Sequence, residues 1–231
     1  MKIDVIIPVH RPGAELLELL DRLNGQSLLP RRIIIMNTCS KVQVEKILAD
    51  RENVSVVSLE REEFDHGGTR DRAARLSDAD YLLFMTQDAL PADEYLLERL
   101  FRPFSDRQVK AAYARQLPRE DCGELERYTR SFNYPKESRI KQLTDLPELG
   151  IKTFFCSNAC AMYERATYLS QGGFIRRTIF NEDMIYAGGL VKSGYAIAYA
   201  ADACVIHSHN YSGSEQIRRN FDLAVSQVDH P

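Results

Sequence analysis

The chain has 231 residues, of which 44% are hydrophobic and 27% charged, and its formal net charge is −3. Such a composition is that of an ordinary globular protein, and the slight negative charge gives no electrostatic support for nucleic-acid binding. The five cysteines lack CxxC spacing, which argues against a zinc site or a disulfide framework and predicts reduced thiols. The apolar N-terminal stretch is too short for a signal peptide, and no apolar run approaches the length of a membrane span.

Strands and helices are predicted to alternate over the first hundred residues. Near-continuous apolar runs predict strands at 3–9, 32–36, 54–59 and 81–85. Apolar residues at helical spacing predict the intervening helices, at 16–23, 42–49 and 69–76. Such strands, separated by helices, are typical of a parallel sheet that is covered on both faces. The sequence therefore predicts an α/β, Rossmann-like half, although no GxGxxG follows the first strand and the dinucleotide fingerprint is absent.

The pattern loosens after residue 91 but continues. It predicts helices at 95–101, 165–170 and 182–192, strands at 109–114 and 196–200, and a turn at Gly172-Gly173. A charged excursion over 118–150 is not rich in glycine or serine, so we expect it to be part of the same domain and not a linker. Near the C-terminus, an apolar stripe at helical spacing consists of Ile217, Phe221, Ala224, Val225 and Val228. It predicts a helix that docks on the core of the same domain, and membrane-surface binding is the weaker alternative.

One acidic residue follows the strand predicted at 81–85. That apolar run leads directly into Thr86-Gln87-Asp88. Charged groups leave water only when they are paired, hydrogen-bonded or metal-bound, and open α/β sheets bind ligands at the carboxyl ends of their strands. Asp88 is therefore the strongest single indication of a ligand site. A solvated turn aspartate or a helix cap is the alternative.

Two further polar segments can carry chemistry. Glu182 and Asp183 open a predicted helix, where acids either complement the helix dipole or act as a general base. His207 and His209 follow the apolar run at 204–206, which predicts the end of a strand, and residues two apart on an extended segment face opposite ways. We therefore expect only one of these histidines to serve a given site. A structural, hydrogen-bonded histidine is the alternative to a ligand.

Two glycines precede the helix predicted at 69–76. The segment at 64–70 places Gly67 and Gly68 before Thr69, which is expected to cap that helix. Glycine lets the backbone approach a ligand closely, and helix N-termini attract anions. The segment lacks the GK[ST] of a P-loop, so an ordinary loop-to-helix turn is an equal alternative.

The order of these motifs resembles that of the family 2 glycosyltransferases, which transfer a sugar from a nucleotide-sugar donor with inversion. The segments 64–70, 86–89 and 205–212 are most similar to the bacterial rhamnosyltransferase-type branch. The resemblance implies the GT-A fold, a Rossmann-like, mostly parallel sheet with helices on both faces, in one domain of residues 1–231. Residues 1–105 would form the nucleotide-sugar-binding half and residues 106–231 the acceptor-binding half.

The resemblance also implies a catalytic centre. Asp183 would be the catalytic base, supported by Glu182. A Mg²⁺ or Mn²⁺ ion at Asp88 would bridge the two donor phosphates and neutralise the departing charge. His207 would be the additional metal or phosphate contact, with His209 as the alternative.

Two positions depart from the family pattern. Thr86 stands at the first acidic position of the family's Asp-x-Asp metal motif, so that one carboxylate remains. Asn37 stands where the family has a base-reading aspartate, and an amide can still bind a pyrimidine edge. The donor-binding residues implied are Pro8, Val9, His10, Asn37, Gly68, Arg70, Gln87 and Asp88.

The implied activity is inverting transfer of a sugar, in this branch rhamnose, to a hydroxyl of a glycan or polyprenyl-linked acceptor in cell-surface polysaccharide synthesis. Tyr128, Phe132 and Tyr134 are candidates to stack on acceptor sugars, and burial against the domain is the alternative. The protein is expected in the cytoplasm, where it could associate peripherally with the inner face of the membrane. A catalytically silent nucleotide-sugar-binding module is the rival hypothesis. A nucleotidyltransferase would need a glycine-rich basic loop near the first strand, which residues 8–13 do not supply.

Overall fold

The computed structural model describes residues 1–38, 44–178 and 180–229, and strands and helices alternate along them. The strands are β1 (Ile3–His10), β2 (Arg32–Thr38), β3 (Val54–Leu59), β4 (Tyr81–Met85), β5 (Leu90–Pro91), β6 (Val109–Leu117), β7 (Arg139–Lys141), β8 (Cys160–Glu164) and β9 (Ala196–Ile206). The helices are α1 (Ala14–Asn24), α2 (Val44–Ile47), α3 (His66–Leu76), α4 (Leu96–Phe101), α5 (Glu124–Asn133), α6 (Leu146–Leu149), α7 (Arg165–Ser170), α8 (Glu182–Lys192) and α9 (Gly213–Asp229). Short 3₁₀ turns cover Arg61–Glu63, Arg102–Ser105, Leu143–Asp145 and Gly150–Phe154.

The described strands pair into one sheet with the order β3-β2-β1-β4-β8-β6-β9-β5, and β7 pairs with β9. Strands β1 to β4 are mutually parallel, as predicted for the first half. In the second half β8 runs antiparallel between β4 and β6, whereas β6 and β9 are parallel. The sheet is therefore parallel over β1 to β4 and mixed beyond β4.

Two apolar cores cover the two faces of the sheet. Ile33 and Ile35 belong to one core, and the intervening Ile34 belongs to the other. Alternate residues of a strand point to opposite faces, so continuous apolar runs such as this one are buried on both sides. Helix α1 packs its predicted leucine stripe against the first core, and α8 packs against the second. Helices on both faces are thus confirmed.

Helix α3 begins earlier than predicted. It starts at His66 because the side chain of Asp65 accepts a hydrogen bond from the Gly68 N–H at 2.9 Å and caps the helix. Gly67 and Gly68 therefore lie inside the first turn, and the prediction that Thr69 is the cap was wrong. A β-carbon on Gly67 would lie 1.9 Å from the Ile175 carbonyl oxygen, so this position admits only glycine.

Strand β8 has no counterpart among the predicted elements, and β9 runs past its predicted end at residue 200 to Ile206. Both additions depend on pairing with β6, which also extends past residue 114 to Leu117. A strand stabilised by its neighbours needs no strong local pattern, because cross-strand packing supplies the preference.

Helix α9 does not bury the whole stripe predicted to dock on the core. Ile217 is 73% exposed, Phe221 is 68% exposed and Ala224 is also exposed, so that prediction was wrong for these three side chains. Ser226 is the buried contact instead, and its hydroxyl donates to the Phe180 carbonyl at 2.7 Å. The side chain of Val228 lies outside the described residues.

Three further predictions concern the helix at 42–49, the cysteines and membrane spans. The helix predicted at 42–49 is seen as α2, and its first two residues lie outside the description. Cys39 also lies outside it, while Cys122, Cys156, Cys160 and Cys204 are free thiols as predicted. None of the described helices combines the length and the apolar character that crossing a membrane requires.

Candidate functional site

Three side chains that could hold a divalent metal ion meet at one edge of the sheet. Strand β5 pairs antiparallel with the end of β9, with Leu90 opposite Ile206, and this pairing brings Asp88 beside His207 and His209. Nε2 of His207 lies 3.5 Å from one carboxylate oxygen of Asp88, and Nε2 of His209 lies 3.6 Å from the other. The ligand atoms of all three lie within 4.8 Å of one another, close enough to share one ion.

Both histidines face Asp88, which corrects the expectation that only one of them reaches the site. Strand β9 ends at Ile206, so the alternation of side chains along a strand does not extend to residues 207–209. The two imidazole rings instead meet edge to face, with centroids 4.7 Å apart.

The protonation states of this cluster are compatible with a bound cation. Burial alone would raise the pKa of Asp88, but its interactions with His207 and His209 outweigh burial and hold that pKa well below the ordinary value. Burial and the neighbouring His207 lower the pKa of His209 to about 4. At neutral pH the cluster therefore offers an ionised carboxylate and a neutral His209 ring, which retains a lone pair for a metal.

Asp183 opens α8 and lines a cleft of about 490 Å³ that Thr86 and Tyr211 also line. Its carboxylate oxygens accept hydrogen bonds from the backbone N–H groups of Asn158 and Met184, each at 2.8 Å. Desolvation, with repulsion from the Glu182 carboxylate, nevertheless raises the pKa of Asp183 to about 7. A carboxylate with such a pKa is suited to general-base chemistry near neutral pH.

Glu182 is held by a buried ion pair, away from solvent. Its carboxylate lies 3.2 Å from the Arg70 guanidinium and also accepts a hydrogen bond from the Asn158 side chain at 3.2 Å. Arg70 donates in addition to the His66 carbonyl at 3.0 Å. The predicted donor residue Arg70 therefore lies beside the two acids of α8, and its charge is already paired there.

Breaking the pair of Arg70 with Glu182 is expected to destabilise the fold. A Glu182→Gln variant leaves the buried guanidinium without an opposite charge, and removing one partner of such a pair costs about 3–5 kcal/mol. Urea unfolding at neutral pH measures the loss. The control Glu62→Gln, exposed in the Arg61–Glu63 turn, should stay within about 0.5 kcal/mol of wild type. A loss below about 1 kcal/mol for Glu182→Gln would contradict the burial of the pair.

The loop at 157–159 lies between Asp183 and the strand ends that carry Asp88 and His207. Ser157 accepts a hydrogen bond from the Gln116 side chain at 2.9 Å, and the next residue, Asn158, contacts both acids of α8. The carbonyl of Ala159 accepts a hydrogen bond from the Thr86 N–H at 3.2 Å. Sequence reasoning missed Asn158. The sequence did contain a signal for it, because the polar pair Ser157-Asn158 directly precedes the apolar run at 159–163. Such a pair marks the boundary of a strand, as Asp88 does after the run at 81–85.

The predicted donor-binding residues on β1 and β4 are linked to each other. The Gln87 amide accepts a hydrogen bond from the His10 N–H at 2.9 Å and donates one to the His10 carbonyl at 3.2 Å. Pro8 is half-buried and His10 exposed, whereas the side chain of Val9 is buried in the core, so that only its backbone can meet a ligand.

Two other predicted donor-binding residues, Asn37 and Gly68, do not line the cleft of Asp183. Asn37 ends up buried near the end of β2, and its side-chain oxygen has no hydrogen-bond partner among the described residues. Gly68 lines a separate cleft of about 920 Å³, together with Asp65 and Arg176. The structure therefore does not bring Gly68 into the cleft of Asp183.

The three aromatic residues of the charged excursion were predicted either to stack on acceptor sugars or to be buried against the domain, and the structure buries one and exposes two. Tyr134 is buried in the core, where its ring lies against Phe155. Tyr128 is 67% and Phe132 58% exposed on α5, and their rings stack with centroids 6.3 Å apart. Thr129 and Arg130 of the same helix line the cleft of Asp183. An exposed aromatic pair thus lies beside that cleft.

Comparisons of the sequence identify one family. The family model described as Glycosyl transferase family 2 matches residues 4–169. The chain is 39% identical over 232 residues to the O-antigen chain rhamnosyltransferase RfbN of Salmonella typhimurium, an alignment that covers 100% of this chain and 74% of RfbN.

Comparisons of the structure give the same fold. The mannosyltransferase PcManGT from Pyrobaculum calidifontis, solved in complex with GDP-Man and Mn²⁺, matches with a TM-score of 0.72 at 16% identity over 99% of this chain. TarS 1–349 of S. aureus, in complex with UDP-GlcNAc, matches with a TM-score of 0.71 at 18% identity over 92% of this chain. The chain covers 62% of the first structure and 60% of the second. At these identities the likeness concerns the fold alone, and it confirms the predicted fold class.

Proposed function

Because the chain belongs to glycosyl transferase family 2, we propose that it transfers rhamnose from a nucleoside-diphosphate donor to a hydroxyl of a growing cell-surface glycan. The observation that carries the proposal is the Asp183 carboxylate, which lines the same cleft as Thr86 and has a pKa raised to about 7. The identity of 39% to RfbN over the whole chain supports rhamnose as the sugar.

The residues of the cleft have distinct roles in this proposal. Asp183 takes the proton from the acceptor hydroxyl while that oxygen attacks the anomeric carbon, and the bond from this carbon to the diphosphate breaks on the opposite face. The Asn158 and Met184 N–H groups orient the Asp183 carboxylate. Glu182 holds Arg70 and raises the basicity of Asp183 through its charge.

Asp88, His207 and His209 would hold a divalent ion, which when bound would neutralise the charge on the departing diphosphate. We favour Mn²⁺ over Mg²⁺, because two imidazoles beside one carboxylate are a poor ligand set for Mg²⁺, which prefers oxygen and retains water. The Mn²⁺ complex of PcManGT supports this choice.

The acceptor is proposed to lie along α5. Tyr128 and Phe132 present stacked, exposed rings beside the cleft, and Lys152 lies 3.9 Å above the Phe132 ring centre. Aromatic faces bury the apolar faces of sugar rings well, which suits a glycan or a lipid-linked glycan. Helix α5 also belongs to the half, residues 106–231, that we expect to bind the acceptor.

A donor panel tests the proposed function. The purified full chain is incubated with deoxythymidine diphosphate-rhamnose, UDP-GlcNAc or GDP-Man, in Mn²⁺, Mg²⁺ or EDTA. Hydrolysis of the donor, with water as the acceptor, is measured as release of nucleoside diphosphate. We expect release from the rhamnose donor alone, fastest in Mn²⁺ and lost in EDTA. Binding of a donor without any release would instead indicate a catalytically silent binding module, and release of pyrophosphate would indicate a nucleotidyltransferase.

A further inference from the structure

A buried glutamine of β6 contacts His207 on the side away from Asp88. Gln116 is 2% exposed and lies opposite Val205 in the parallel ladder of β6 and β9. The His207 N–H donates to the Leu117 carbonyl at 2.9 Å, which holds the histidine beside Gln116. Nδ1 of His207 lies 2.9 Å from Oε1 of Gln116. The roles assigned above to the cleft residues make no use of this glutamine.

Arg130 determines which end of the Gln116 amide faces His207. A guanidinium can only donate hydrogen bonds, and Nη1 of Arg130 donates to the same Oε1 atom of Gln116. The amide nitrogen of Gln116 donates to Ser157 Oγ at 2.9 Å on the other side. A flip of the Gln116 amide, which exchanges its oxygen and nitrogen, would place its NH₂ donor next to the guanidinium donor of Arg130. Oε1 therefore faces both Arg130 and His207.

The orientation of this amide decides the tautomer of His207. Oε1 is an acceptor, so Nδ1 of His207 must carry the proton that it shares with Gln116. A neutral imidazole has one N–H and one lone pair, and the lone pair is then on Nε2. Nε2 is the atom that lies 3.5 Å from the Asp88 carboxylate, on the side of the cation site.

Arg130 is itself held in place from α5. Its Nε donates to Oε1 of Glu126 at 2.6 Å, and the same Glu126 oxygen lies 3.4 Å from the His209 N–H. The guanidinium therefore cannot rotate away from Gln116 without losing an ion pair. Helix α5 thus supports the orientation of Gln116.

We propose that Gln116 is a positioning residue, which keeps a proton on Nδ1 of His207 and so directs Nε2 to a divalent cation beside Asp88. The inference rests on the proposed function in one respect, that the cluster binds a divalent ion. Hydrogen-bond partners behind metal-ligating histidines typically change metal affinity about 10- to 100-fold when they are removed. We expect a change of this size for Gln116.

Three variants of the full chain test the role of Gln116 by Mn²⁺ titration, with free Mn²⁺ measured by electron paramagnetic resonance. Gln116→Met keeps the length but loses the acceptor, and its Kd for Mn²⁺ should rise about 10- to 100-fold. Gln116→Glu keeps an acceptor for both Arg130 and His207 and should bind Mn²⁺ at least as tightly as wild type. The control Gln108→Met, exposed before β6, should bind like wild type.

A second readout reports the tautomer directly and without metal. Nitrogen-15 NMR of the histidine rings at about pH 8, with His207 assigned by a His207→Gln variant, should show a protonated Nδ1 in wild type. Gln116→Glu should show the same pattern, and Gln116→Met a mixture of tautomers. A merely structural glutamine would lower the thermal stability of Gln116→Met without changing this pattern.

Several outcomes would overturn the proposal. They are an unprotonated Nδ1 of His207 in metal-free wild type, an Mn²⁺ affinity of Gln116→Met within twofold of wild type, and an Mn²⁺ affinity of Gln116→Glu that falls tenfold or more. If Gln116→Met fails to fold, the NMR spectra of wild type and of Gln116→Glu test the proposal. In both proteins His207 must carry a proton on Nδ1. A wild-type chain that binds no Mn²⁺ also refutes the role of Gln116, whereas release of nucleoside diphosphate in EDTA would leave the transferase function standing.

Discussion

Replacing Asp183 by asparagine is expected to lower kcat about 10²- to 10⁴-fold, because the amide cannot take the proton of the acceptor hydroxyl. Asparagine has the same shape, but its NH₂ group leaves one of the two backbone N–H donors, that of Asn158 or Met184, without an acceptor. We therefore expect a loss of stability of only about 1 kcal/mol. The assay is hydrolysis of the donor, in which Asp183 would take the proton of water as the acceptor, measured as release of nucleoside diphosphate at saturating donor and Mn²⁺.

The control for Asp183→Asn is Asp50→Asn, an exposed aspartate after α2 that should leave kcat unchanged. Circular dichroism and thermal unfolding show whether both variants fold. Turnover of Asp183→Asn within threefold of wild type would mean that another group accepts the proton, and the assignment of the base would fail.

The dependence of activity on pH tests the same assignment without mutation. Burial and the charge of Glu182 raise the pKa of Asp183 to about 7, and a general base works only when it is unprotonated. We therefore expect kcat/KM to fall as the pH drops below about 7. An acidic limb near pH 4, the value of an unperturbed aspartate, would contradict the raised pKa.

The raised pKa also has a cost in stability. The folded state binds the Asp183 proton more tightly than the unfolded chain does, so the contribution of this group is fully present below about pH 4 and is lost as the pH rises through about 7. The ionised base at working pH is therefore a destabilised group. The hydrogen bonds from Asn158 and Met184 offset part of that destabilisation.

Replacing Asp88 by asparagine is expected to lower kcat/KM about 10²- to 10³-fold at moderate Mn²⁺ concentration. Asp88 is the single carboxylate among Asp88, His207 and His209, the residues proposed to hold the metal. The asparagine side chain keeps the shape of the aspartate but lacks the charge that would attract the cation. The fold should persist, because Asp88 is half-exposed and its neighbours remain. Initial rates over a range of Mn²⁺ concentrations measure the effect, and raising Mn²⁺ should restore part of the activity.

Asp80→Asn is the matched control for Asp88→Asn, because Asp80 precedes β4 at the end of the strand opposite to Asp88 and is exposed. It should change neither the rate nor its dependence on Mn²⁺. If wild type were as active in EDTA as in Mn²⁺, the metal would be dispensable and Asp88 would act only through its histidine contacts.

Local patterns in the sequence predicted much of the fold. The strand β4, the helices α7 and α8 and the leucine face of α1 lie where the periodicity placed them. Each of these elements buries a face of its own, so the spacing of its apolar residues carries the information. Strand β8 was missed, because its preference comes from pairing with β4 and β6 and not from its own spacing.

The sequence by itself determined the order of motifs and hence the family, and it pointed to Asp88, Asp183 and a histidine as candidate site residues. Only the tertiary structure decided that His207 and His209 both face Asp88, since the short pairing of β5 with β9 joins two segments more than a hundred residues apart. It also decided that Gln116 and Arg130 lie behind His207. Periodicity records which face of a contiguous segment is buried, whereas the meeting of distant strand ends depends on long-range pairing that no local pattern encodes.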